Sequence, residues 1–403
     1  MAEIVSTDFS KCNLDEIQYT EINFKTSWLI ISDNKLRKIQ DDIKNLKFLT
    51  RLAANDNRIS DISPKICNLT NLTWVDFTRN KLKSIPKEFH NLQKVTGLGL
   101  SENEFDEIPE NIFKMVNLRK FGFFSNKVKS IHRDIRLLKN LIKLDLSNNF
   151  IKILPEEICD LTYLNWLNLS NNKLEKLPNN MNKLIHLEEL GLGMNKLTKL
   201  PKLDKLCKLK ILPLFKNNLT EVEDSIRYCR SIEKLDFSDN KIKKLPDFLL
   251  KLGSLRYLNC KGNLIEQIDD ENLEYINSKI NLIDLSENLL TCVPFKFFKV
   301  FNNLTTIKLE DNPYKYKKNI MPKKISLLEK CYNKLMNINT NISPSINILF
   351  NRIRICDLCE KYFVNEPYLI YNSNSLEEEH FIFVVEKTCC SIKCYKKETL
   401  INK

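Results

Sequence analysis

Glycine is scarce in this chain, 7 residues in 403, roughly a quarter of the ordinary ~7%. No G-x-G-x-x-G or G-x-x-x-x-G-K-[ST] arrangement occurs, so the backbone cradles that hold nucleotide phosphates are not expected. Histidine is scarcer still: four residues, at 90, 132, 186 and 380, stand too far apart to suggest a catalytic set. No run approaches ~18 consecutive apolar residues, so no membrane span is expected. The first residues, Met-Ala-Glu-Ile-Val, place an acid where a secretory signal needs a basic start. The expected setting is therefore intracellular, the cytoplasm with the nucleus left open. Against these absences stand 43% hydrophobic and 28% charged residues, enough to bury a core. The net charge is +12, but most lysines are scattered singly, the pattern of a solvated surface rather than a nucleic-acid face. Thirteen cysteines, seven spread thinly before residue 300 and five crowded between Cys356 and Cys394, favour thiols and metal over disulfides.

The chain repeats itself. LIKLDLSNNFIKILP over residues 141–155 returns as LNWLNLSNNKLEKLP over residues 164–178, a spacing of 23. In the frame L-x-x-L-x-L-x-x-N, Asn recurs at 34, 57, 80, 103, 126, 149, 172, 195, 217, 240, 263, 288 and 312, and Cys12 takes its place in an atypical first copy. In such a coil Leu144 and Leu146 point inward from a short strand. Asn149 can then bond the backbone of the adjacent turn, so that repeated Asn becomes a buried ladder. Cys is small and tolerates burial, and can stand in at 12. Leu-Pro pairs at 154/155, 177/178, 200/201 and 245/246 should open the convex return, where Pro needs no backbone donor. One coil cannot bury its own face. Stacking about fourteen coils ~4.8 Å apart gives an array roughly 60–65 Å long with a parallel sheet on its concave side.

This frame identifies residues 1–313 as a leucine-rich-repeat solenoid, an α/β repeat fold. The 23-residue copies with Leu-Pro resemble the intracellular scaffolds of the Ras-signalling and scribble-like groups. That resemblance implies a binding role, with a GTPase or phosphatase among the partner classes. Extracellular relatives usually carry cysteine-rich caps, and the first copy here has none.

On the concave sheet the third, fifth, seventh and eighth frame positions should face solvent. All three tryptophans of the chain, Trp28, Trp74 and Trp166, hold third positions, as do Ile211 and Tyr257. Phe124 and Phe215 hold seventh positions and Met194 an eighth. Gly97, Gly99, Gly122, Gly191 and Gly193 share the face, where a missing side chain leaves room for an approaching backbone. Phe124, Trp166, Met194, Ile211 and Phe215, rimmed by Lys120, Lys143, Asp145 and Glu189, are expected to form an anchor patch for a protein partner. The competing reading packs each aromatic on its neighbours in the ladder.

After Asn312 the frame stops. Residues 314–324 read as a basic linker with five lysines, and from Pro313 onward 15 basic residues face 9 acidic ones. Residues 325–350 hold Ser326, Leu327, Cys331 and Leu335 on one predicted helix. Ser326 and Glu329 form a capping box, and 327, 331 and 335 make one apolar stripe. Such a helix could seal the open solenoid end. Residues 351–403 contain Cys356-x-x-Cys359 and Cys390-x-x-x-Cys394, which could hold one tetrahedral Zn and define a small α+β module. His380-Phe-Ile-Phe-Val-Val385 should supply a strand that brings the second pair back. Cys389 or His380 could replace one ligand, and buried free thiols are the alternative to metal.

The order of these parts, repeat array, S-L-x-x-x-C-x-x-x-L helix, Pro344 with following apolar residues, CxxC and C-S-x-x-C, resembles the leucine-rich-repeat substrate receptors of elongin-cullin ubiquitin ligases. The resemblance implies elongin C as partner of Leu327 and Cys331, and a cullin as a second partner. Ser343 and Asn347 stand where that family's cullin half-box has hydrophobic residues, so the elongin C contact is the better supported of the two. No enzyme is expected.

Overall fold

The computed structural model describes residues 5–268, 279–294, 297 and 305–313, and the strands Arg354–Ile355, Tyr362–Phe363, Tyr368–Leu376 and Glu379–Cys389. The chain divides into two compact units, Met1–Lys241 with Leu252–Asn259, and Ile242–Lys251 with Cys260–Lys403. Among the described residues fourteen three-residue strands run parallel in the solenoid sheet. Twelve of them, from Ser6–Asp8 to Tyr257–Asn259, lie in the first unit.

One coil of the first unit explains the rest. Leu141, Leu144, Leu146, Ile151, Ile158, Leu161 and Leu164 are all fully buried. Their spacing follows the path of the chain: a strand at Lys143–Asp145, a tight bend, and a 3-10 helix at Glu156–Asp160 on the convex side. Pro155 sits just before that helix, in the position the Leu-Pro pairs predict. The bend needs one left-handed residue. Asn148 supplies it at φ 53°, and the corresponding residue is left-handed in every described coil, from Lys11 to Asp311. Only Gly262 among them lacks a side chain, so the others carry the ~1–2 kcal/mol that this conformation costs.

The ladder offsets that cost. Asn149 Nδ2 donates to Leu146 O at 3.2 Å and Ser147 O at 3.1 Å in its own bend, and to Phe123 O of the preceding coil at 3.1 Å. Its Oδ1 accepts from Val128 N–H at 3.1 Å. Strands pair residue for residue: Lys143, Leu144 and Asp145 face Trp166, Leu167 and Asn168. Cys12 does not join the ladder. It is exposed, and its Sγ donates only to Ser10 O at 3.4 Å, within its own turn, so the expected burial of this thiol is corrected. Among the described residues the buried thiols are those of Cys67, Cys159, Cys229 and Cys260; burial pushes the first three up, to about 11, about 12 and about 12, which leaves them protonated and inert.

In the second unit, strands Leu282–Asp284 and Thr306–Lys308 pair in parallel, and Asn288 and Asn312 carry the ladder. The strand predicted around residues 380–385 extends over Glu379–Cys389. It forms an antiparallel hairpin with Tyr368–Leu376, and its Val385 faces Val293 in a parallel pairing with Val293–Pro294.

Candidate functional site

The first residues of the first unit's strands form one unbroken row. In register order it reads Ser6, Trp28, Arg51, Trp74, Gly97, Lys120, Lys143, Trp166, Glu189, Ile211, Lys234 and Tyr257. The three tryptophans, Ile211 and Tyr257 are each half-buried in it. The guanidinium of Arg51 lies 5.6 Å from the Trp28 ring centroid, a cation–π contact.

Phe124, Met194 and Phe215 are not in this row. They sit past the strands' far ends, four or five residues on from the row, where the chain enters its bend. The expected patch of Phe124, Trp166, Met194, Ile211 and Phe215 is therefore two rows, because third and seventh positions lie at opposite ends of the same short strand. Phe124 and Phe215 are half-buried, while Met194 is exposed and left-handed at φ 57°. Asp145, expected on the rim, is half-buried at the end of its strand, and its Oδ1 accepts from Ser147 N at 3.0 Å and Ser147 Oγ at 2.7 Å. Burial raises its pKa above the ordinary carboxylate value, partly opposed by those hydrogen bonds.

The glycines do not leave room for a foreign backbone. A Cβ on Gly97 would come within 2.6 Å of Trp74 Cδ1, and one on Gly193 would meet the Phe215 ring. The space over Gly97 and Gly193 is filled by the aromatic ring of a neighbouring coil, which helps to half-bury Trp74 and Phe215, while Asp76, Ser101 and Asn168 stand over Gly99, Gly122 and Gly191. Packing on ladder neighbours and exposure to a partner thus hold together: each ring has one face on the sheet and one outward.

Sequence reasoning missed the flank beside this row. Tyr163 and His186 stack with ring centroids 6.2 Å apart and an interplanar angle of 4°, and Lys208 Nζ donates to His186 Nδ1 at 3.1 Å. They line a groove of about 850 Å³ with Lys94, Arg119 and Asn165 among others. His186 therefore belongs to this flank. The signal was a second 23-residue period, at the residue just before each coil's first Leu. A second groove of about 520 Å³ shares Thr73, Thr96, Arg119 and Ile142 with the first and reaches Trp28, Arg51 and Trp74. A third, of about 210 Å³, continues over Trp74, Gly97 and Lys120 to Lys143 and Trp166. His132 has a structural task, accepting from Asp134 N–H at 3.3 Å at the start of the helix Arg133–Leu137.

Ser326, Leu327, Cys331 and Leu335 lie outside the described residues, as do Cys356, Cys359, Cys390 and Cys394. His380 and Cys389 fall within the strand Glu379–Cys389.

Coils with one short parallel strand, one left-handed bend and one ladder Asn, stacked to leave an open concave face, define a solenoid scaffold whose recognition surface is a sheet. The chain carries leucine-rich repeats: the profile for leucine-rich repeats matches residues 47–105 and 116–174, and that for paired leucine-rich repeats matches residues 230–275. Leucine-rich repeat serine/threonine-protein kinase 1 of Mus musculus is 33% identical over 27% of this chain. That match covers 6% of the kinase and lies in its repeats. A leucine-rich-repeat protein of Leptospira interrogans shares the fold at a TM-score of 0.64 and 25% identity, over 85% of this chain and 96% of its own. An internalin of Listeria monocytogenes does so at a TM-score of 0.66 and 23% identity, over 78% and 88%. Among the described residues no helix is long and apolar enough to cross a membrane.

Proposed function

We propose that the chain is a protein-recognition adaptor. Its concave face holds a partner protein, and its C-terminal part connects that partner to a cullin-RING ubiquitin ligase. The observation that carries the first half is the row of outward ring faces, Trp28, Trp74 and Trp166, with cations set between them. Aromatic residues and Arg with one side fixed on rigid scaffold and the other free make efficient binding anchors, because little side-chain entropy remains to be lost. The second half rests on the likeness of Ser326, Leu327, Cys331 and Leu335 to an elongin C-binding helix. A structural Zn held by Cys356, Cys359, Cys390 and Cys394 fits this reading. The antiparallel strands Arg354–Ile355 and Tyr362–Phe363 bracket the first cysteine pair in sequence, as a metal knuckle would require. An intracellular setting, in which elongin C and a cullin are met, belongs to the same proposal.

The test is purification of the tagged full chain from cells, with mass spectrometry of what it retains. Elongin C should co-purify, and Leu327→Ala with Cys331→Phe should remove it. Trp28→Ala, Trp74→Ala and Trp166→Ala together should release the concave-face partner by about 2 kcal/mol or more while leaving elongin C bound. Absence of elongin C from the wild-type chain rejects the adaptor. Elemental analysis should return about one Zn per chain with four thiolate ligands. A second reading is a signalling scaffold binding a GTPase or phosphatase, favoured by the likeness of its repeats to those of a leucine-rich-repeat kinase. In that case the concave variants lose their partner and elongin C is never found.

A further inference from the structure

The strands that carry Trp28 to Trp166 hold an excess of positive charge. Arg51, Arg119, Lys120 and Lys143 are exposed, and none has a carboxylate within ion-pair distance. All four line the second and third grooves. Two acids, Asp76 and Asp145, line the third groove, where Asp76 Oδ1 accepts from Thr78 N at 2.9 Å and Asp145 is held by Ser147. Four cations against these two carboxylates leave the grooves net positive beside the aromatic rings, which raises the local potential toward an anionic ligand.

Their spacing says more. Arg51 and Lys120 are three strands apart, about 14 Å at ordinary strand separation. Between them lie Trp74 and Gly97, where the indole of Trp74 lies over the glycine and makes a flat apolar floor. An extended peptide covers about 14 Å in roughly four residues. A nucleic-acid strand carries a charge at every nucleotide and would leave phosphates stranded on that apolar floor. Thr73, Thr96 and Asn165 along the flank offer neutral donors and acceptors suited to peptide amides.

We propose that this row binds an extended acidic segment of the partner protein. An apolar side chain of the segment rests on Trp74. Carboxylates about four residues apart meet Arg51 on one side and Arg119, Lys120 and Lys143 on the other. The inference rests on the concave-face reading above and names the chemistry of its ligand.

Fluorescein-labelled peptides of about ten residues, long enough to span the row, are titrated against the full chain by anisotropy. One carries paired Glu on each side of a Phe-centred spacer, its twin has Gln for every Glu, and a single-stranded oligonucleotide of similar length is the third probe. The acidic peptide should bind at least ~10-fold tighter than the Gln twin, and the preference should fade as salt is raised. Lys120→Glu with Lys143→Glu should weaken it by ~10-fold or more, while Lys152→Glu, outside the grooves, should not, and unchanged melting curves certify folding of each variant. Equal binding of the Gln twin, tighter binding of the oligonucleotide, or no binding of the acidic peptide overturns the proposal. The two readings fail differently. A cellular partner lost from the tryptophan variant but kept by the Lys120→Glu/Lys143→Glu variant retains the concave face and rejects the acidic ligand; a partner indifferent to the tryptophans rejects both.

Discussion

The coils of the first unit and those of the second are built on one plan with different tolerances. In the first, ladder residues recur every 23 positions, with one step of 22 from Asn195 to Asn217, and from the strand Trp28–Ile30 onward every strand's central Leu, Val or Phe is buried. In the second, the steps from Asn263 to Asn288 and from Asn288 to Asn312 are 25 and 24. Ile283 is buried but Ile307 only half so. The ladder bonds nevertheless persist: Asn288 Nδ2 donates to Cys260 O at 2.9 Å, and Asn312 Nδ2 to Leu285 O at 3.0 Å. The strand, left-handed residue and Asn thus form a rigid unit that fixes the concave register, and length variation is absorbed where the chain returns. A binding row therefore depends on coil regularity in a way that the ladder does not.

The largest expected effect tests that difference directly. Asn149→Ala removes four hydrogen bonds in a buried setting and strands Val128 N–H between two coils, while Phe123 O keeps Asn126 Nδ2 at 3.3 Å. At ~1–3 kcal/mol for the unpaired N–H and ~0.5–1.5 kcal/mol for each of the other three bonds, the loss should reach about 3–5 kcal/mol. Asn312→Ala removes the same pattern from a part-buried place, where water can substitute. It should cost about 1–2 kcal/mol. Urea titration followed by circular dichroism measures both. Equal losses at the two sites would mean that the ladder, and not its burial, sets stability, and the contrast between the units would fall.

A smaller effect is expected at the aromatic floor. Gly97→Ala sets a methyl against Trp74, and the indole must lift or tilt. The expected cost is about 1–3 kcal/mol, the usual penalty for overpacking, with a shift in tryptophan emission as the ring becomes more solvated. Gly253 has nothing within 4 Å of an added Cβ, so Gly253→Ala should be close to neutral. A silent Gly97→Ala spectrum would show that Trp74 does not use the space over the glycine.

Repeat period, inward leucines, the Asn ladder and the convex Pro positions were all legible in the sequence, because each follows from a single coil closing on its neighbour. The anchor patch was only half legible. Frame positions told which residues share a face but not that a three-residue strand separates third from seventh positions into two rows. Nor did they tell that Gly97 and Gly193 are filled by rings from adjacent coils. The flank of Tyr163, His186 and Lys208 escaped because those positions lie outside the leucine frame. Asp145 reads from the sequence as a surface charge, and it does line a groove with Lys143 and Trp166, but its bond to Ser147, two residues on, was not legible there.

That carboxylate gives the smallest expected effect. Burial holds the folded pKa of Asp145 above its ordinary value, so between the unfolded and folded pKa values the native chain binds more protons than the unfolded one. Stability from this group is therefore greatest in acid and falls as the pH rises from about 4 through the folded pKa. Asp145→Asn keeps an oxygen for Ser147 N–H and removes the buried charge. It should raise the melting temperature slightly at pH 7 and lose that advantage near pH 3.5. Asp56, half-buried in the bend after the strand Arg51–Ala53 and paired with the exposed Arg79 at 3.2 Å, is the contrast. Asp56→Asn should do nothing at pH 7 beyond the ~0–1 kcal/mol of a surface ion pair. If Asp145→Asn is destabilising at both pH values, the hydrogen bonds to Ser147 outweigh the cost of burying the charge, and the carboxylate is there to hold the bend.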